Sequence, residues 1–145
     1  MRLLTFDKEI ITINNDLVKY SNFLANLPTY DEEVKLEDKS CLFNIMLKIV
    51  EFLSVHDNFQ KQNTDMDYVI RWNNRFFDVS DDILFKILAA SNFLDIHELF
   101  ELSCKEVANI IKRCNTPADI RERFNIKTDA TPKEQEEVKQ LYFNL

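Results

Sequence analysis

A chain of 145 residues, 46% hydrophobic and 12% aromatic, is one domain's length and rich enough in apolar side chains to build a core. Its formal charge of -7, with the basic residues interleaved among acids, argues against a nucleic-acid partner, because phosphate binding relies on clustered cations. The absence of any glycine removes the Walker loop, the dinucleotide fingerprint and the nucleophile elbow in their usual forms, since each needs close backbone approach or positive φ.

In chain order, Leu3, Leu4 and Phe6, then Ile10-Ile11-Thr12-Ile13 across Asp7-Lys8-Glu9, predict a strand, a turn and a second strand. Asn14-Asn15-Asp16 offers an N-cap for a helix carrying Leu17, Tyr20, Leu24 and Leu27, which Pro28 ends. Val34-Lys35-Leu36 suits a short edge strand. From about Ser40 a helix runs through Leu42, Phe43, Met46, Ile49, Val50 and Leu53. The polar, aperiodic stretch over about 56–67 reads as an exposed loop, after which Tyr68-Val69-Ile70 reads as a further short strand.

Ser80 with Asp81 and Asp82 starts a helix through Ile83, Leu84, Phe85, Ile87 and Leu88. A break near Leu94 is expected, with Asp95 and Glu98 spaced like a capping box for a helix from Ile96 to about Lys112. Thr116-Pro117-Ala118-Asp119 and Thr131-Pro132-Lys133-Glu134 each set Thr at the N-cap, Pro at the first helical position and an acid two residues on. They open helices through Ile120 and Phe124 and through Val138 and Leu141. The order predicts an α+β domain, a small mixed sheet covered by helices, with a helical tail.

Candidate chemistry is thin. His56 and His97 are the only histidines, and Cys41, Cys104 and Cys114 lack metal or redox spacing, so structural thiols in a reducing compartment are expected. The reading is no enzyme, no cofactor, no metal and no small-molecule substrate. No apolar run approaches the roughly 18 residues of a membrane span. MRLLTFDKEI meets acids too early for a secretion signal, so a soluble intracellular protein is expected.

The informative excess is apolar. Leu88, Phe93, Leu94, Ile96, Leu99, Phe100, Leu102, Val107, Ile110 and Ile111 exceed what one helix face needs. The residues beyond Arg113 are too sparsely apolar to make a core of their own. Either the tail covers this helix, which the pattern alone favours, or the two form an incomplete core that another chain finishes. A large side chain left in water forgoes roughly 1.5–3 kcal/mol of burial, so several exposed together mark a binding site.

The run from Leu84 to Ile96, LFKILAASNFLDI, resembles the LFELILAANYLDI signature of the Skp family of S-phase kinase-associated adaptors. The similarity continues through CKEVANIIK from Cys104 and TPADIRERFNIKTD from Thr116, and is weaker but collinear over the N-terminal half. It implies a BTB/POZ fold over residues 1–112 and a C-terminal helical extension over 113–145 that forms an F-box-binding surface. The implied role is a non-catalytic adaptor bridging a cullin to F-box substrate receptors in an SCF ubiquitin ligase, in cytoplasm and nucleus. The alternative is a BTB/POZ interaction protein outside ubiquitin ligases, as a homodimer or in a kinetochore-type assembly.

Carried over by position, the cullin contact falls on Ala90, Ser91, Asn92 and Phe93, and the F-box surface on Leu99, Phe100, Cys104, Val107, Ile110, Ile111, Phe124 and Ile126. This reading turns the apolar excess into half of a core shared with a partner. Without one, the chain is expected to form at most a weak homodimer. Departures from the family include Phe93 for its usual Tyr, Ser91 for Ala, Arg113-Cys114-Asn115 where the family has Gly, and a tail with no Trp.

Overall fold

The computed structural model describes residues 1–28 and 33–125, and for Phe124 and Asn125 the backbone alone. The chain divides into two compact units, Met1–Phe100 and Glu101–Leu145. The second predicted Thr-Pro helix start, at Thr131, lies outside the described residues.

The first unit opens on β1 (Arg2–Leu4) and β2 (Ile10–Thr12), paired antiparallel with Leu3 opposite Ile11. β3 (Val34–Lys35) joins the other side of β1 in parallel, giving the order β2-β1-β3, so the expected edge strand and mixed sheet are present. Alternation sorts the faces: Leu3 and Ile11 are buried, while Arg2, Ile10 and Thr12 are exposed.

The β1–β2 turn is made without glycine. Lys8 takes a left-handed φ of 69°, and the backbone N–H groups of Thr5 and Lys8 bond to Glu9 and Thr5 carbonyls at 2.8 and 3.0 Å. Asp7 Oδ1 accepts from the Thr5 hydroxyl at 2.6 Å and from the backbone N–H of Phe43 at 3.0 Å. Phe43 starts α2 (Phe43–Lys61), whose own N-cap residue, Leu42, has no capping side chain. The helix is therefore capped from the hairpin. The Thr5 hydroxyl, and after it the Phe43 N–H, hold the Asp7 carboxyl below its ordinary value against the opposing effect of burial. A lowered folded pKa contributes stability above the unfolded value of about 3.9 and loses it as pH falls through the folded value. Thermal melts of Asp7→Ala and the parent chain should thus differ most near pH 7, and the gap should narrow below about pH 4 as the parent's Asp7 protonates.

The one helix expected after Asn14 is two. Asn14 does cap, accepting from Asp16 N–H, but the element is a 3₁₀ helix (Asn15–Tyr20) followed by a short α1 (Asn22–Ala25). Ser21 breaks it. Its backbone is extended and its hydroxyl oxygen accepts from Leu24 N–H at 3.2 Å, so a residue that competes with helix interiors starts a new helix instead.

The predicted loop over 56–67 is corrected. α2 runs on to Lys61, and α3 (Met66–Phe76) replaces the strand expected at Tyr68-Val69-Ile70. Phe52, His56 and Phe59 recur at helical spacing and meet α3: Phe52 lies 5.3 Å from Phe76 and 6.1 Å from Trp72, and Phe59 lies 5.9 Å from both Tyr68 and Trp72 between ring centroids. Ring packing outweighs the polar composition around it. Only residues 62–65 connect the helices, with Asn63 left-handed at φ 50°.

α4 (Asp81–Phe93) starts as predicted, Ser80 Oγ accepting from Ile83 N–H. At its end Asp95 takes φ 52°, with Asp95 N–H bonded to Asn92 O and Ile96 N–H to Ser91 O. This is a Schellman stop with Asp in the position glycine usually fills. The expected Asp95–Glu98 capping box is therefore absent: Asp95 ends one helix, and Glu98 turns to His56. α5 (His97–Arg113) follows, then α6 (Pro117–Asn125) with Thr116 capping Asp119 N–H as expected. Cys41 and Cys104 are buried free thiols and Cys114 is half-buried; burial pushes the Cys41 thiol up to about 12. Among the described residues no helix is long and apolar enough to cross a membrane.

Candidate functional site

The end of α4 projects two of the four positions carried over for a cullin contact. Ala90 and Ser91 are fully buried, and the Ser91 hydroxyl donates to Leu88 O at 2.8 Å within its own helix. Asn92 is exposed and Phe93 is half-buried. The substitution of Ser at 91 is thus absorbed internally, and the outward chemistry is an amide and a ring.

Two neighbours of that surface carried no sequence signal as site residues. Ala89 is exposed one turn before Phe93. Phe23, on α1, sets its ring 4.9 Å from that of Phe93 at a 42° tilt. Phe23 is off the Leu17-Tyr20-Leu24 stripe, so periodicity gave it no role. The position of α1 against α4 is fixed by hydrogen bonds: the Ser21 hydroxyl donates to Leu94 O at 2.5 Å, Phe23 N–H to the same oxygen at 3.3 Å, and Asn22 N–H to Asp95 O at 3.2 Å. The Asn22 amide also donates to Asp95 Oδ2 at 3.0 Å.

The residues carried over for the F-box surface do not form one exposed stripe. In the first unit Leu99 is buried and Phe100 half-buried; in the second Cys104, Val107 and Ile110 are buried and Ile111 half-buried. The Phe124 side chain and Ile126 lie outside the described residues.

A polar cluster sits beside the start of α5. His56 stacks on Phe52 with centroids 4.0 Å apart, its Nε2 is 2.7 Å from Asn73 Oδ1, and its Nδ1 is 3.3 Å from Glu98 Oε1. The imidazole holds the Glu98 carboxyl below its ordinary value. Nearby the Tyr20 hydroxyl donates to Asp57 Oδ1 at 2.5 Å, and Asp57 pairs with Lys61 at 2.9 Å. Burial, then the Asp57 carboxylate, pushes the Tyr20 phenol up to about 12. A cleft of about 280 Å³ opens here. Both imidazole nitrogens are engaged, so the arrangement ties α2 and α3 to the first turn of α5. Among the described residues no group of His, Cys, Asp or Glu is arranged to hold a metal ion.

A family model described as Skp1 family, dimerisation domain, matches residues 97–142. The E3 ubiquitin ligase complex SCF subunit sconC of Neosartorya fischeri is 32% identical over 143 residues, spanning 89% of this chain and 87% of that protein. Suppressor of kinetochore protein 1 of Schizosaccharomyces pombe is 32% identical over 152 residues, 96% of this chain and 92% of its own length. The S-phase kinase-associated protein 1 homolog of Tetrahymena thermophila is 33% identical over 153 residues, 97% and 90% respectively. These alignments extend over both halves of the chain at 32–33% identity overall, and the chain belongs to the Skp1 family.

Proposed function

We propose that the chain is the adaptor subunit of an SCF-type E3 ubiquitin ligase, joining a cullin scaffold to F-box substrate receptors. Similarity over nearly the whole chain to proteins named as SCF subunits carries this reading. The adaptor works without chemistry of its own: holding a substrate receptor on the scaffold raises the effective concentration of substrate at the ubiquitin-charged enzyme. The small mixed sheet and its covering helices support a BTB/POZ fold, which we place over residues 1–112 with the helical extension over 113–145, although the first compact unit itself ends at Phe100.

The cullin side is assigned to the end of α4, where Asn92 and Phe93 supply the contact while Ala90 and Ser91 hold them from within. The F-box side is assigned to α5 and the extension, where half-buried Phe100 and Ile111 supply the contact, buried Leu99, Cys104, Val107 and Ile110 back them from within, and Phe124 and Ile126 add to it from the extension. A lasting F-box interface of this kind buries on the order of 2,000 Å² or more and is apolar, which suits a helix with more apolar residues than one face uses. The adaptor acts in cytoplasm and nucleus. The alternative assembly outside ubiquitin ligases has less support, because the SCF name recurs among the relatives.

The test is affinity capture of the tagged chain from its own cells, with bound proteins identified by mass spectrometry. Recovery of a cullin with several F-box proteins is expected. F-box proteins without a cullin would point to an assembly outside ligases, and recovery of neither would overturn the adaptor reading.

A further inference from the structure

The reading above gives the cullin contact to one segment, the end of α4. The geometry around Phe93 extends it to a second. Phe93 is half-buried, and the ring that covers its side is that of Phe23 from α1, itself half-buried. A ring pair at 4.9 Å and a 42° tilt is a favourable arrangement, and part of both rings faces outward. Exposed Ala89 adjoins Phe93 on α4, and a methyl side chain there leaves room for a partner's side chain to reach the rings. Exposed Asn92 and the Asp82–Lys86 ion pair at 3.2 Å supply a polar margin. Aromatic rings at the middle with polar groups around them are the arrangement of a protein interface.

We infer that Phe23 is a second anchor for the cullin and acts with Phe93 as one two-ring contact. The inference rests on the assignment of the α4 end to the cullin. It differs from that assignment in placing binding energy on the N-terminal part of the chain, in a segment of four helical residues. Such a segment could not hold a ring in place by itself. The hydrogen bonds of Ser21, Asn22 and Phe23 to the Leu94 and Asp95 backbone do so, and make Ser21 and Asn22 positioning residues for the anchor.

The experiment is a binding titration of the full chain against the cullin recovered with it, with Phe23→Ala, Phe93→Ala and the double variant, each checked for an unchanged circular-dichroism spectrum. Phe23→Met serves as a second variant that keeps the site filled. Phe23→Ala should weaken binding at least tenfold, Phe23→Met by less than threefold, and the double variant should lose much less than the product of the two single losses. Parent-like affinity of a folded Phe23→Ala, beside a weakened Phe93→Ala, would overturn the inference and leave the α4 assignment standing. Multiplicative losses would overturn the single two-ring anchor. If neither single variant changes the affinity, the α4 assignment and the inference both fail.

Discussion

Phe52→Ala is expected to destabilise the chain by about 3–5 kcal/mol, the range for removing a buried aromatic ring from a packed core. Phe52 is 1% exposed and is the ring the others share: His56 stacks on it, and Phe76 and Trp72 lean against it. Its loss leaves a void between α2 and α3 that these rings cannot all close, because His56 is also held by Asn73 and Glu98. Against a total stability of about 5–15 kcal/mol, the loss is a large fraction. Urea unfolding followed by the fluorescence of Trp72, the chain's one tryptophan, reads it directly. Phe52→Leu should cost less than about half as much, since it keeps most of the volume. A loss under about 1 kcal/mol for the alanine variant would mean that the rings do not form one cluster.

Ser21→Ala should cost about 2 kcal/mol, more than most serine truncations. The side chain is fully buried and has two tasks: its oxygen caps Leu24 N–H, and its proton goes to Leu94 O. Losing a cap costs about 1 kcal/mol, and weakening the satisfaction of a buried carbonyl adds about as much again. Leu94 O keeps the Phe23 N–H as a partner, which limits the second contribution. For a chain of this size the melting temperature should fall by about 4–8 °C, measurable by scanning calorimetry. A fall of under about 1 °C would show that water replaces both bonds and that α1 is not locked to the α4 end.

The parts of the fold legible in the sequence were those decided locally. Apolar and β-branched runs on either side of Asp7-Lys8-Glu9 gave the hairpin, and caps at Asn14, Ser80 and Thr116 stand where short polar side chains precede helical patterns. The errors came where a distant partner decides. The second half of α2 is polar enough to read as a loop, and only α3 shows why Phe52, His56 and Phe59 belong on one helix face. Ser21 suits a helix interior poorly but caps well, and its bond to Leu94 lies beyond any window of local pattern. Asp95 carries a capping signal that serves equally at a helix end, and the chain uses it there. The outward pair Asn92 and Phe93 came from family resemblance rather than from periodicity. Phe23 came from neither.

The glycine-free turns have a consequence for the other side of the folding equilibrium. Lys8, Asn63 and Asp95 occupy backbone conformations that cost an ordinary side chain about 1–2 kcal/mol, with Asn and Asp the more tolerant and Lys8 held by the bonds that close its turn. Yet a glycine replaced by another residue removes about 0.4–1 kcal/mol of disorder from the denatured chain. With no glycine among 145 residues, the denatured ensemble is narrowed along its whole length. Local strain at three turns is set against a starting state with fewer conformations to give up.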